Sequence, residues 1–196
     1  KNFIPPITDS WNFFYKVDLA DSTWIDNDFC YLIRFYPRQQ QENTFSGYMW
    51  IADSSFAVKE VYMSLDSTVN INYCKRAHFY QRFDHLNDSV WVLVEDRMLV
   101  EFLPVKNSTS FIGRRTSVYE NHQIGPDVFR EVEHIKDDIV YSDDVINNEE
   151  AFWQQTRPDS LNANEEGVYA LVDSLQNIKS FMTVVDVYNT LMYGYW

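Results

Sequence analysis

The groups in this chain that could transfer protons, bind metal or act as nucleophiles are 29 acidic residues, four histidines and two cysteines. His78, His85, His122 and His134 are scattered, and none has a second ligand at metal spacing. Glu95 and Asp96 are adjacent in a strand-like run, VWVLVEDRMLVEFL. Neighbours on a strand face opposite ways, so they cannot work as a carboxylate pair. Glu95 and Arg97 share a face and read as an ion pair. A glycosidase needs two carboxylates across a cleft, and 29 acids supply such pairs by number alone. Asp137-Asp138 and Asp143-Asp144 suggest calcium, but they lack the loop spacing and the glycine at its bend. The patterns GxSxG, HExxH, GxxxxGK[ST] and GxGxxG are absent. No catalytic residue, metal ligand or cofactor is therefore assigned, and the chain reads as non-enzymatic. A hydrolase with an unrecognised acidic site is the catalytic alternative. Cys30 and Cys74 read as buried thiols, with a disulfide as the alternative in an oxidising compartment.

The elements that must position these groups are mostly strands. WNFFYKVDL is followed by a break at ADS, and a turn at Asp26-Asn27-Asp28 precedes a strand from Phe29 to Tyr36. A hairpin follows, Phe45 to Ile51 and Phe56 to Leu65, with its turn at Ala52-Asp53-Ser54-Ser55. AHFYQRF, VWVLVEDRMLVEFL and SFIGRRTSVYENHQI complete the series, with Gly113 expected at a bulge or bend. Consecutive strands with short polar connections argue an antiparallel meander. The expected organisation is a sheet core over 1–126, an acidic linker over 127–148 and a helical segment over 149–196. In the last, EEAFWQQ is a short helix, and Asn164 is expected to cap a second. The stripe Val168, Leu171, Val172, Leu175 and the stripe Phe181, Val184, Val185, Tyr188, Leu191, Met192 mark two amphipathic helices. The fold class is α+β: a curved, mainly antiparallel, half-barrel-like sheet with C-terminal helices on or beside it.

The hairpin carries apolar side chains on both faces. Strict alternation puts Phe45, Met49, Ile51, Val61, Met63 and Leu65 on one face, and Tyr48, Trp50, Phe56, Val58 and Tyr62 on the other. Trp50 and Phe56 are expected on strands and mostly buried. A sheet with one wet face should alternate apolar with polar, so the second face needs a cover. The C-terminal helices can supply it. The alternative is a concavity holding lipid or lipoprotein acyl chains, with Trp50, Phe56, Val58 and Tyr62 as the ligand-binding set.

A net charge of −13 makes nucleic acid a poor partner, because phosphate is repelled. The longest apolar runs fall well short of the roughly 20 residues of a membrane helix. The opening KNFIPPITDSW lacks a signal-peptide core. Aromatics make up 17% of the chain, a bias that suits strands and interfaces.

FSGYMWIADSSFAVKEV and NDSVWVL resemble segments of a family of Gram-negative outer-membrane proteins of unknown function. The likeness continues through the SW and FFY near Trp11, CYLIRFYPR, FIGRRTSVY, FWQQTRP and the final GYW. It is most specific at FWQQTRPDSLNANEEGVYALVDSL, where Trp153, Arg157, Pro158 and Leu161 keep their order. Such proteins carry a carboxypeptidase-regulatory-like domain, a middle region similar to this chain, and a surface-antigen-type β-barrel. The resemblance implies a non-catalytic module on the periplasmic side of the outer membrane, positioning or gating the barrel of the same polypeptide or binding a partner for it. It implies no catalytic residue. The F-x-G-x-x-W-I-A-D pattern is also similar to the half-barrel of periplasmic lipoprotein carriers.

Overall fold

The computed structural model of the chain describes residues 3–39, 42–65, 69, 74–87, 89–103, 110–125, 128 and 150–176. The chain divides into two compact units, residues 1–140 and 141–196. The first is a seven-stranded antiparallel sheet whose order in space is its order in sequence. The strands are β1 (Tyr15–Ile25), β2 (Asp28–Pro37), β3 (Ser46–Ala52), β4 (Val58–Leu65), β5 (Cys74–Asn87), β6 (Val90–Phe102) and β7 (Phe111–Val118). The expected meander is therefore present, with short connections at β1–β2, β3–β4 and β5–β6.

Three local expectations are corrected. Trp11–Phe14 is a single helical turn, α1, in front of β1 and not part of the strand. The expected break at ADS is a register shift between Leu19 and Asp21 inside one continuous strand. A bulge absorbs an extra residue without ending the pairing. Gly113 sits in regular register opposite Val100, without a bulge. A Cβ there would lie 3.4 Å from Phe102 Cε2, in ordinary contact with the Phe102 ring.

Register sets the faces. Phe35, Gly47, Met63, Phe79 and Met98 pair in one line across five strands. Ile33, Met49, Val61 and Gln81 form the next line. Tyr15, Phe35, Met49 and Val61 are the buried centre of one cluster, with Ile4, Phe14, Phe45, Ile51 and Val58 packed around it. Leu65, Val69, Ala77 and Val100 centre a second, against Phe3, Phe45 and Phe79. The residues before β1 thus help fill the core face. Tyr15 holds them there. Its hydroxyl donates to the Ile4 carbonyl and accepts the Phe45 N–H at 3.0 Å. Tyr15→Phe leaves both backbone groups without that partner in a core position. It should cost about 2 kcal/mol, read as a lower urea midpoint with an unchanged slope. An unaltered midpoint would show that the two bonds contribute nothing net.

The second unit shows α2 (Glu150–Thr156) and α3 (Ala163–Gln176). The helix start is Asn162, not Asn164. The Asn162 side-chain oxygen accepts the N–H groups of Asn164 and Glu165, and Glu165 returns a bond to the Asn162 N–H. This reciprocal arrangement is a capping box. Val168 and Leu171 are exposed. Nearly all of the expected acidic linker lies outside the described residues, as does all of the Phe181–Met192 stripe. Among the described residues no helix is long and apolar enough to cross a membrane.

Candidate functional site

The four residues singled out from the hairpin do not share one surface. Trp50 is in β3 and half-buried, opposite Glu60. Tyr62 is on the same face, opposite Tyr48. Between Trp50 and Ile51 the β3–β4 register slips, so that Ile51 pairs with Val58 and Lys59 is an extra residue. The slip carries Val58 to the core face, where it packs against the Tyr15 cluster. Phe56 is not on a strand. It lies in the turn with φ 55° and is 79% exposed, contrary to the expected burial. Alternation counted back from Tyr62 fails at this bulge, which is why the sequence pattern misplaced both residues.

The bulge residue is the centre of the best-defined polar constellation. The Lys59 side chain is only 1% exposed, and its Nζ lies 3.0 Å from Asp84 Oδ1, 3.1 Å from Asp28 Oδ2 and 3.4 Å from Asp26 Oδ2. His85 Nε2 is 3.0 Å from Asp28 Oδ1, and the His85 and Trp91 ring centres are 3.9 Å apart. Lys59 Nζ also lies 5.5 Å from the Trp91 ring centre, within cation–π range. These residues come from the β1–β2 turn, β2, β4, β5 and β6, so one ammonium joins five parts of the fold. Burial by itself pulls the Lys59 pKa down. Hydrogen bonds and charges from Asp84, Asp28 and Asp26 outweigh that and hold it above the ordinary lysine value. Burial likewise pushes Asp28 and Asp84 up, and their bonds to His85 and Lys59 bring both below the usual carboxylate range. A lysine held protonated is a fixed cation. A Schiff-base nucleophile needs the opposite shift.

The face opposite the core carries a second constellation. Register lines up Asp18, Arg34, Tyr48, Tyr62, Tyr80, Arg97 and Thr116 across all seven strands. Arg34 bonds Asp18 through Nε at 2.9 Å and Nη2 at 2.6 Å. Tyr48 stacks on Tyr62 at 5.4 Å, and Tyr62 stacks on His78 at 5.9 Å. Tyr62 Oη and His78 Nδ1 are hydrogen-bonded at 2.7 Å. Glu95 takes both Arg97 and Arg82, so the expected ion pair is present with a further arginine. Buried Glu101 is bound by Lys75, Arg76 and Ser110, whose hydrogen bonds hold its carboxyl down to about 2. On the core face, buried Asp96 accepts Arg115 at 2.6 Å and Gln81 at 3.1 Å.

Tyr80 lies within this face. Burial first, then the charges of Glu60 and Glu95, push its hydroxyl up to about 12. The folded value exceeds the ordinary 10, so the resulting stabilisation is complete below pH 10 and is lost as pH rises towards 12. Melting temperature should fall across that window, and Tyr80→Phe should make the fall shallower. An identical alkaline slope in the variant would remove Tyr80 from the account.

His122 Nε2 bonds the Leu93 carbonyl at 2.9 Å, and His134 lies outside the described residues. Cys30 and Cys74 are both free thiols, Cys30 fully buried. Among the described residues no group of His, Cys, Asp or Glu is placed to hold a metal ion. In the second unit, Gln154, Arg157, Ser160, Leu161 and Glu166 line a cavity of about 360 Å³. Arg157 there lies 5.4 Å from the Tyr169 ring centre.

Sequence reading missed the Lys59 constellation. Its members are separated by up to 65 positions, from Asp26 to Trp91, and no spacing rule connects them. The one local sign was a lysine inside an otherwise strand-forming run, VKEVYMSL. Compared with known proteins, residues 1–122 match the model of a family described as a family of unknown function (DUF5686). The match includes every strand of the sheet. No curated protein and no solved structure matches the chain.

Proposed function

The chain belongs to the family of unknown function DUF5686, and we propose that its sheet is a non-catalytic module on the periplasmic side of the outer membrane. It positions or gates a β-barrel of the same polypeptide, or binds a partner for it. One observation carries the non-catalytic part: Lys59 and the carboxylates of Glu95, Asp96 and Glu101 are each engaged with oppositely charged groups, mostly across strands. Lys59 binds three aspartates, Glu101 two cations, Glu95 two arginines and Asp96 one. Such pairs, all but Glu95–Arg97 of them between different strands or turns, fix geometry. General acid–base work instead asks for a group poised near neutral pH within reach of a substrate. The outer-membrane part is supported by the resemblance of CYLIRFYPR, FSGYMWIADSSFAVKEV and FIGRRTSVY to proteins of that location. The acyl-chain reading has less support, since Trp50 and Tyr62, Val58, and Phe56 occupy three different surroundings.

Location is tested with an epitope inserted after exposed Glu120 in the full-length protein. Antibody access in intact Gram-negative cells, after outer-membrane permeabilisation and after full lysis separates the compartments. The expected result is access at the second stage. Access in intact cells, or only after full lysis, would overturn the periplasmic placement.

A further inference from the structure

Three hairpin turns, β1–β2, β3–β4 and β5–β6, lie at the same end of the sheet. At or beside the first two, large apolar side chains face solvent. Trp24 is 67% exposed and Phe56 79%. Phe56 has φ 55°, a left-handed conformation that is unfavourable for any residue with a Cβ and unusual for a bulky one. Its ring gains no burial in return. A local cost of this kind, kept where the side chain does nothing for the fold, points to a role outside it.

The backbone segments that carry the two aromatics are tied to one another through β2. The Asp53 N–H donates to the Phe29 carbonyl at 2.9 Å, tying the β3–β4 turn to the start of β2. Trp24 packs edge-on against Phe29 at 5.5 Å, and Phe29 against Tyr31 at 5.6 Å. The Lys59 bonds to Asp26, Asp28 and Asp84 brace the same end. The carboxylates at this end, Asp26, Asp28, Asp53 and Asp84, outnumber the fixed cations Lys59 and Arg82, the latter near Asp84, with His85 bonded to Asp28. Asp53 is exposed, as is Asp26.

We propose that this end of the sheet is a docking surface, with Phe56 and Trp24 as anchors, for a protein partner that offers an apolar pocket rimmed by basic side chains. Rigid aromatic anchors carry much of the affinity at protein interfaces, and opposite charge at the rim sets the approach and the register. The same negative charge disfavours anionic lipid surfaces. It also disfavours this end of a second copy. The proposal does not depend on the compartment in which the protein works.

The test places the photoreactive analogue benzoylphenylalanine at position 56 of the full-length protein in its native cells. A control carries it at Ile112, which is 68% exposed near the opposite end of the sheet. The expected result is one protein adduct at position 56 that is absent at 112. The adduct is then identified, purified and titrated with wild type, Phe56→Gly and Asp53→Asn. Phe56→Gly relieves the backbone strain, so its urea midpoint should stay or rise while affinity falls at least tenfold. Asp53→Asn should weaken binding less and reduce its dependence on salt. The proposal is overturned by adducts at 56 no different from those at 112, by adducts with lipid only or with a second copy only, or by unchanged affinity of the Phe56→Gly protein.

Discussion

Lys59→Met is expected to lower the stability of the sheet by about 3–5 kcal/mol, the range for removing one member of a buried ion pair. Methionine keeps the length and apolar volume of the stem, so packing changes little. What is lost is the cation. Asp26 and Asp84 are 64% and 44% exposed and can return to water. Asp28 is only 12% exposed and cannot, so the penalty concentrates there. Urea denaturation measures the loss, and a loss below 1 kcal/mol would mean that water already screens the cluster. The double variant Lys59→Met, Asp28→Asn should be more stable than Lys59→Met alone, because the stranded charge is gone. The pH profile carries the same signature. Lys59 is raised above its ordinary 10.5, so its contribution is complete below that pH and is lost as pH climbs through the folded value. Asp28 and Asp84 are lowered from 3.8, so theirs is present above that pH and fades as pH falls through the folded values. Lys59→Met should flatten both ends of the wild-type profile.

Gly47→Ala is expected to destabilise by about 3 kcal/mol, the upper part of the usual range for overpacking. A Cβ on Gly47 would lie 1.9 Å from the Tyr62 carbonyl oxygen and 3.0 Å from Phe35 Cζ. The first neighbour is backbone and cannot rotate away. Relief requires β3 and β4 to part at the pair Gly47–Met63, next to the Tyr48–Tyr62 stack. The variant should therefore lose tyrosine near-ultraviolet dichroism along with stability. Gly113→Ala is the control. Its Cβ meets a side-chain atom at 3.4 Å, an ordinary contact that a small ring movement accommodates, so it should cost little. Equal losses in the two variants would show that the close approach at Gly47 is not the cause.

The two outcomes bear on different parts of the molecule. Lys59 binds the turn end together and so supports the surface on which Trp24 and Phe56 stand. Gly47 sets how closely two central strands approach. A sheet weakened at Gly47 but intact at its turns should still dock a partner while folded. A sheet without Lys59 should dock less well even below its unfolding temperature, because the anchors lose their brace.

Much of the fold could be read locally. Asp26-Asn27 and Asp53-Ser54-Ser55 lie between strand-forming runs, and turn chemistry with alternation places the β1–β2 and β3–β4 connections within a residue or two. EEAFWQQ reads as a short helix because Pro158 ends it. The capping box at Asn162 was equally legible, since Asn162 has an acid three residues on and Asn164 has Gly167. Strands joined by short polar turns leave few arrangements other than a meander, so the order in space follows from the order in sequence.

What only the tertiary structure decided is where alternation breaks and what meets as a result. A bulge is a mismatch of one residue between two strands, and neither strand alone shows it. Lys59 is the extra residue in β4. Its insertion sends Val58 to the core, leaves Phe56 in the turn and puts one ammonium among carboxylates from β2, β5 and the first turn. Local preference acts between near neighbours in the chain. The charge and packing terms that settled these positions act between residues brought together only when the strands pair.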